Sequence, residues 1–218
     1  MASIGKKTTM ITSVKDLQNS LLEKSKKFDD PMFKRDFLMT SPGCPTERIE
    51  ELKRGLPGLP DSYIKWVSRV NLNGISVGYF GISPCSNYKG DMVESLIKGN
   101  EDSMYSPVNE LYKLYSIGTR DGFEVSIATK NSPGFQEGEI ILIDEEMLSD
   151  IHNPRKGDIA KLAKDFEQFL IAAGNLNQIH REIRDDNSNW EEKKQEFIER
   201  LKILGVSEEY HSAWLSVF

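Results

Sequence analysis

Apolar residues recur three and four apart at Val14, Leu17, Leu21 and Phe28, the spacing of one face of a helix. Ser13 is placed to cap that helix, with Asp16 and Gln18 in its first turn. Over 29–45 the period is lost. Pro31, Pro42, Gly43 and Pro45 interrupt regular structure there and predict a wandering connection, with at most a short turn around Phe33 and Phe37. A second helix starts at Thr46, with Glu47 and Glu50 near the positive end of its dipole, Ile49 and Leu52 facing inward, and Gly55 as its stop. Pro60 suits the first position of a third helix, where its missing N–H would have no partner, and Tyr63, Trp66, Val67 and Val70 line one face of that helix.

Beyond the turn-forming pair Asn73-Gly74 the period shortens to two. Ile75, Val77 and Tyr79 alternate within 75–82, which predicts one strand. Positions 83–109 are polar and weakly periodic, with a short helix expected around Met92, Leu96 and Ile97. Strand-like runs follow at 114–119, 123–129 and 139–144, separated by Arg120-Asp121-Gly122 and Asn131-Ser132-Pro133-Gly134, the mark of an antiparallel meander. Helical period returns over 165–183, where Phe166, Phe169, Leu170, Ala173, Leu176 and His180 form a stripe behind an Asp165/Gln168 capping box. A second box at Ser188 and Glu191 opens a helix carrying Trp190, Phe197, Leu201 and Leu204 and closed by Gly205. A last helix keeps Tyr210, Trp214 and Leu215 for burial. The expected fold is α+β, a single antiparallel sheet of about four to six strands flanked by helices, with extra helices at both ends. Along the chain this gives a helical arm and connection over 1–45, an α+β domain over 46–184, and a helical extension over 185–218 packed on the same domain.

Composition narrows the function classes. With 218 residues, 38% of them hydrophobic and 28% charged, the chain has the make-up of an ordinary folded domain. A net charge of −6 sets the average surface against polyphosphates and anionic membranes, so neither direct nucleic-acid binding nor membrane binding is expected and basic partners are favoured. Cys44 and Cys85 form no CxxC pair and suggest neither a disulfide framework nor a zinc site. Positions 1–12 hold no apolar run of signal-peptide length, and nowhere do about 18 apolar residues follow one another. A cytoplasmic protein is the expectation.

Three motifs in order, Leu59-Pro60-Asp61-Ser62-Tyr63, then Asn73-Gly74, then Asp165-Phe166-Glu167-Gln168-Phe169-Leu170, resemble those of the SUKH superfamily, SMI/KNR type. In that family a Leu-Pro-x-x-Tyr segment and an Asn-Gly turn precede the sheet, and a small-polar-Phe-x-x-Phe-Leu helix closes the domain. The resemblance runs from Thr46 to Ala173 and departs from the family in the N-terminal arm, in the polar stretch after Ile82 and in the tail after Asp185. It implies an α+β domain that binds proteins. Many bacterial members look like immunity proteins that block a secreted toxin, often a nuclease, inside the producing cell. Some eukaryotic relatives look like regulators of cell-wall assembly, so an intracellular scaffold or regulatory module is the alternative reading.

Candidate chemistry is sparse. His152, His180 and His211 stand in no metal-ligand spacing, and the cysteines have no adjacent base. Ser62-Tyr63-Ile64-Lys65 matches an SxxK pattern without its companion Lys-Thr-Gly element, and Ser62 is explained as a helix-start residue. Gly74, Gly78 and Gly81 satisfy no phosphate-loop pattern. No catalytic residue, cofactor or metal is therefore expected. The feature with a functional reading is acidic: Asp91, Glu94, Glu101 and Asp102 in the irregular stretch, and Asp144, Glu145, Glu146 and Asp150 after the strand ending near 144. Gathered on one face, they would imitate a nucleic-acid backbone and steer a basic toxin to the surface. The expected partner is such a cognate toxin; the residues set no oligomeric state.

Overall fold

A computed structural model describes residues 9–27, 29, 42–72, 74–82, 91–144, 158–186 and 189–218. Phe28, the turn around Phe33 and Phe37, Asn73, Cys85, Glu145, Glu146, Asp150, His152 and Ser188 lie outside the described residues. Within them the protein has six antiparallel strands in one sheet, in the order β1 to β6: Ile75–Val77, Phe80–Ile82, Leu114–Arg120, Phe123–Ala128, Ile140–Ile143 and Ile159–Ala163. The helices are α1 Val14–Ser25, α2 Thr46–Gly55, α3 Asp61–Arg69, α4 Met92–Glu101, α5 Ser106–Tyr112, α6 Phe166–Asp186, α7 Trp190–Ile203 and α8 Glu208–Ser216.

Helix starts follow their capping chemistry. Ser13 adopts an extended backbone and its hydroxyl accepts from the Asp16 N–H. Asp165 does the same for the Gln168 N–H at 2.8 Å, while the Gln168 carbonyl oxygen accepts from the Lys164 N–H. Pro60 sits one position earlier than the sequence reading placed it. Its ψ of 136° is extended, so it precedes the helix and its carbonyl accepts from Ile64. Asn189, not the expected Ser188, caps α7 by accepting from the Glu191 N–H. Gly205, at φ 66°, ends that helix with Val206 N–H donating to Leu201 O, as a left-handed C′ residue does.

The single strand expected over 75–82 is a hairpin. Gly78 takes φ 67° and, with Tyr79, makes a two-residue turn. The inward alternation of Ile75 and Val77 therefore resumes at Phe80 and Ile82, and Tyr79, expected inside, is 56% exposed. β5 is likewise not the last strand, since β6 follows and the Asp144 N–H donates to Asp158 O where it begins. In the last helix Leu215 is only half-buried, and Ala213 and Val217 fill the core beside Tyr210 and Trp214.

Both sheet faces are covered. Because successive side chains alternate across a strand, Val125, Ile127, Ile140 and Leu142 enter the main core with Phe166, Phe169 and Leu170 of α6 and Trp214 of α8. Phe80 meets Phe169 edge-on at 5.2 Å and Trp214 at 5.7 Å, and the Trp214 indole N–H donates to Leu162 O at 2.7 Å. The opposite face, with Leu114, Ala128, Ile141 and Ile143, packs against Tyr105 and Val108 at α5. That short helix was not anticipated. It spans seven residues, too few for a period to show, and ends where Lys113 turns left-handed at φ 54°.

Candidate partner-binding surface

The five predicted acidic residues that are described do not share one place. Asp91 caps α4, with its carboxylate accepting from the Glu94 N–H at 3.0 Å and from the Arg48 guanidinium at 2.5 Å. Burial works to raise that carboxyl, but the Arg48 and Glu94 hydrogen bonds outweigh it and hold it below its ordinary value. Glu94 pairs with Lys98 one turn on, at 3.2 Å. Glu101 and Asp102 stand at the far end of the same helix, about 15 Å away by the rise per residue. Asp144 is half-buried at the end of β5. Ile143 pairs with Glu124, and the Ser103 hydroxyl donates to Glu124 at 2.7 Å, so Asp102 and Asp144 belong to one end of the sheet while Asp91 and Glu94 do not.

What the fold does assemble is the corner between α4 and α5. Glu101, Asp102 and Glu110 are exposed there, together with Met104 (64%) and Leu111 (51%). A groove of about 360 Å³ runs on one side, lined by Pro57, Glu101, Glu110 and Lys113. Another of about 290 Å³, bounded by Asp102, Met104, Thr119 and Phe123, lies on the other. Two exposed apolar side chains thus stand in the same segment as three exposed carboxylates. Glu110, Met104 and Leu111 escaped the sequence reading because their exposure depends on α5, which turns Val108 inward and Leu111 out.

Buried polar groups hold this corner still. Glu124, 4% exposed, accepts from Ser103, from the Asn109 amide at 2.7 Å and from the Ser126 hydroxyl at 2.9 Å. Asn100 donates to Ser116 O and accepts from the Ser116 N–H at 2.7 Å, so α4 bonds to β3 as a strand would. The Tyr105 hydroxyl donates to Gly122 O. Ser103, Asn109, Glu124 and Ser126 therefore satisfy one another, as a buried carboxylate requires.

Cys44, His180 and His211 make contacts within the fold. Cys44 is half-buried with its N–H on Val67 O, and burial, helped by Asp91, pushes its thiol up to about 11, so it is protonated at neutral pH. His180 lies among Tyr79, Trp190 and Phe218, and its Nε2–H donates to Phe218 O at 2.8 Å. His211 bonds Val206 O at 3.1 Å. Ser62 and Lys65 are both exposed on α3. Glu139, read from the sequence only as the start of a strand, accepts from the Gln136 N–H, from Tyr210 Oη at 2.8 Å and from Lys161 at 3.1 Å, tying α8 to the sheet. Among the described residues no group of three or more His, Cys, Asp or Glu side chains could hold a metal ion, and no helix is long and apolar enough to cross a membrane. No family model matches the chain, and no curated protein matches it.

Proposed function

We propose that the chain is a non-enzymatic protein-binding domain of the immunity type, acting in the cytoplasm by covering the active site or substrate path of a basic toxin. The α4–α5 corner is the surface offered to that partner. One observation carries this reading: Glu101, Asp102 and Glu110 are exposed in the same short α4–α5 segment as the exposed Met104 and Leu111, on a backbone fixed by the Glu124 network. Carboxylates at the rim speed encounter with a cationic partner, and the two apolar side chains supply the area that excludes water once contact is made.

The test is co-expression with the toxin encoded by the neighbouring gene. The intact chain is expected to co-purify with it and to protect the cell. Reversing three charges together (E101K, D102K and E110K) is expected to weaken the complex at least tenfold and abolish protection. Reversal at the exposed Glu137 and Glu192 should leave both intact. No complex and no protection from the intact chain would overturn the immunity reading; unimpaired binding by the triple variant would overturn the choice of surface.

A further inference from the structure

The groove of about 290 Å³ on the Asp102 side of the α4–α5 corner reaches two buried polar side chains. Glu124 and Ser116 line it from β4 and β3, and they are only 4% and 0% exposed. Ser116 pairs in register with Ser126, two residues from Glu124, so all three side chains share the sheet face that bonds to Asn109 of α5. On that face Ser116 and Glu124 are diagonal neighbours, roughly 7–8 Å apart by sheet geometry.

Each of the two has bonding capacity left. The Glu124 oxygens accept from Ser103, Asn109 and Ser126, all of them neutral, so these bonds serve the oxygens and give the charge no counter-ion. Three bonds also fall short of the about four acceptor positions of a carboxylate. Ser116 commits its N–H and its carbonyl to Asn100, and its hydroxyl has no hydrogen-bond partner among the described residues. A buried charge is ordinarily paired and a buried hydroxyl ordinarily bonded. The chain's own cation in the lining, Lys98, bonds Glu94 at 3.2 Å one turn back along α4, and Asp102 adds a second carboxylate.

A positively charged donor that bonds both groups would complete the pair. A primary ammonium is compact and its three donors turn freely, whereas the planar fork of a guanidinium is matched to two acceptors in one plane. Met104, 64% exposed, and the rings of Tyr105 and Phe123 add apolar lining, which suits an unbranched aliphatic stem behind the charge. We propose that this pocket takes a lysine side chain of the partner protein, with its ammonium between Glu124 and Ser116 and its methylenes on Met104 and Phe123. The fit to an alkylammonium stands on the lining residues alone; that a protein supplies it rests on the immunity reading above.

Titration of the full chain with Nα-acetyl-lysine methylamide, followed by amide NMR shifts at matched ionic strength, tests the pocket. Saturable shifts at Ser103, Ser116 and Glu124 are expected, absent with the norleucine counterpart and at least fivefold weaker with the arginine one. S116A leaves the Glu124 bonds in place and should weaken lysine binding at least threefold; E124Q should weaken it at least tenfold. Should E124Q fail to fold, S116A still decides. No saturable shift, equal binding of the norleucine derivative, or wild-type affinity in folded S116A would overturn the pocket, and equal binding of the arginine derivative would overturn the choice of lysine. In the co-purification with the neighbouring gene's toxin, S116A should weaken the complex at least threefold, and an unchanged complex would overturn the toxin as the source of the lysine. A chain that binds the lysine derivative but no toxin would instead keep the pocket and overturn the immunity reading.

Discussion

Gly118 shows how little room the sheet leaves. A Cβ there would stand 2.5 Å from the carbonyl oxygen of Gly81 on the paired strand β2, and neither backbone can retreat without breaking the register that matches Ile82 with Gly118. Gly118→Ala is expected to lose about 1–3 kcal/mol, the usual cost of overpacking, measured as an earlier urea midpoint. An unchanged midpoint would show that β2 does not lie against β3 as described. Asn175 is a second single-residue lock. Fully buried, it accepts from the Ile11 N–H at 3.2 Å and donates to Ile11 O at 2.7 Å, so one amide satisfies both backbone groups of the arm ahead of α1. Asn175→Ala strands those groups and should cost about 1–3 kcal/mol. Limited proteolysis ahead of α1 should quicken in parallel, and unaltered cleavage would count against the lock.

Helix ends were more legible than strands because a cap is written in one or two residues. Ser13 and Asp165 act as the sequence reading expected. The β1–β2 hairpin was hidden because Gly78 and Tyr79 continue the alternation on paper, and only the positive φ of Gly78 reverses the chain. β6 was missed because Ile159–Ala163 carries two alanines and a lysine, poor advertisements for a strand that pairing with β5 nonetheless enforces. The acidic surface was half legible: charge is visible in sequence, but its consumption by Arg48 or Lys98 is a matter of what folds alongside. The seam between α6 and α7 was illegible for the same reason. There Arg200, 5% exposed, bonds Glu196 at 2.6 Å and Gln178 at 3.0 Å, while Lys193 bonds Glu182 and Glu196. Arg200→Met removes the guanidinium from Glu196 and, at 3.8 Å, from Glu182, leaves Lys193 alone to serve both acids, and should destabilise the protein by about 1–3 kcal/mol. Double substitution with Glu196→Gln should recover part of the loss; no recovery would mean that Arg200 acts through packing alone.

At the scale of the whole molecule, His180 marks the point where α6, the β1–β2 turn and the C-terminal Phe218 meet. Burial pushes its imidazole below the ordinary 6.5, Phe218 O pulls the other way, and Arg120 adds to the depression. The unfolded chain therefore takes up this proton more readily than the folded one, so stability is full above pH 6.5 and declines as pH falls below it. Glu196 adds a second step of the same sign. Burial would raise its carboxyl, but Lys193 and Arg200 hold it below 4.5, and the stability it contributes is lost as pH falls through that depressed value. Tm should hence be level from pH 8 to about 6.5 and drop in two stages on acidification. His180→Gln keeps an N–H for Phe218 O and has nothing to titrate, so it should flatten the first stage and spare the second. If the first stage persists in that variant, the mild-acid weakness lies elsewhere than at the junction of the hairpin, the long helix and the C-terminus.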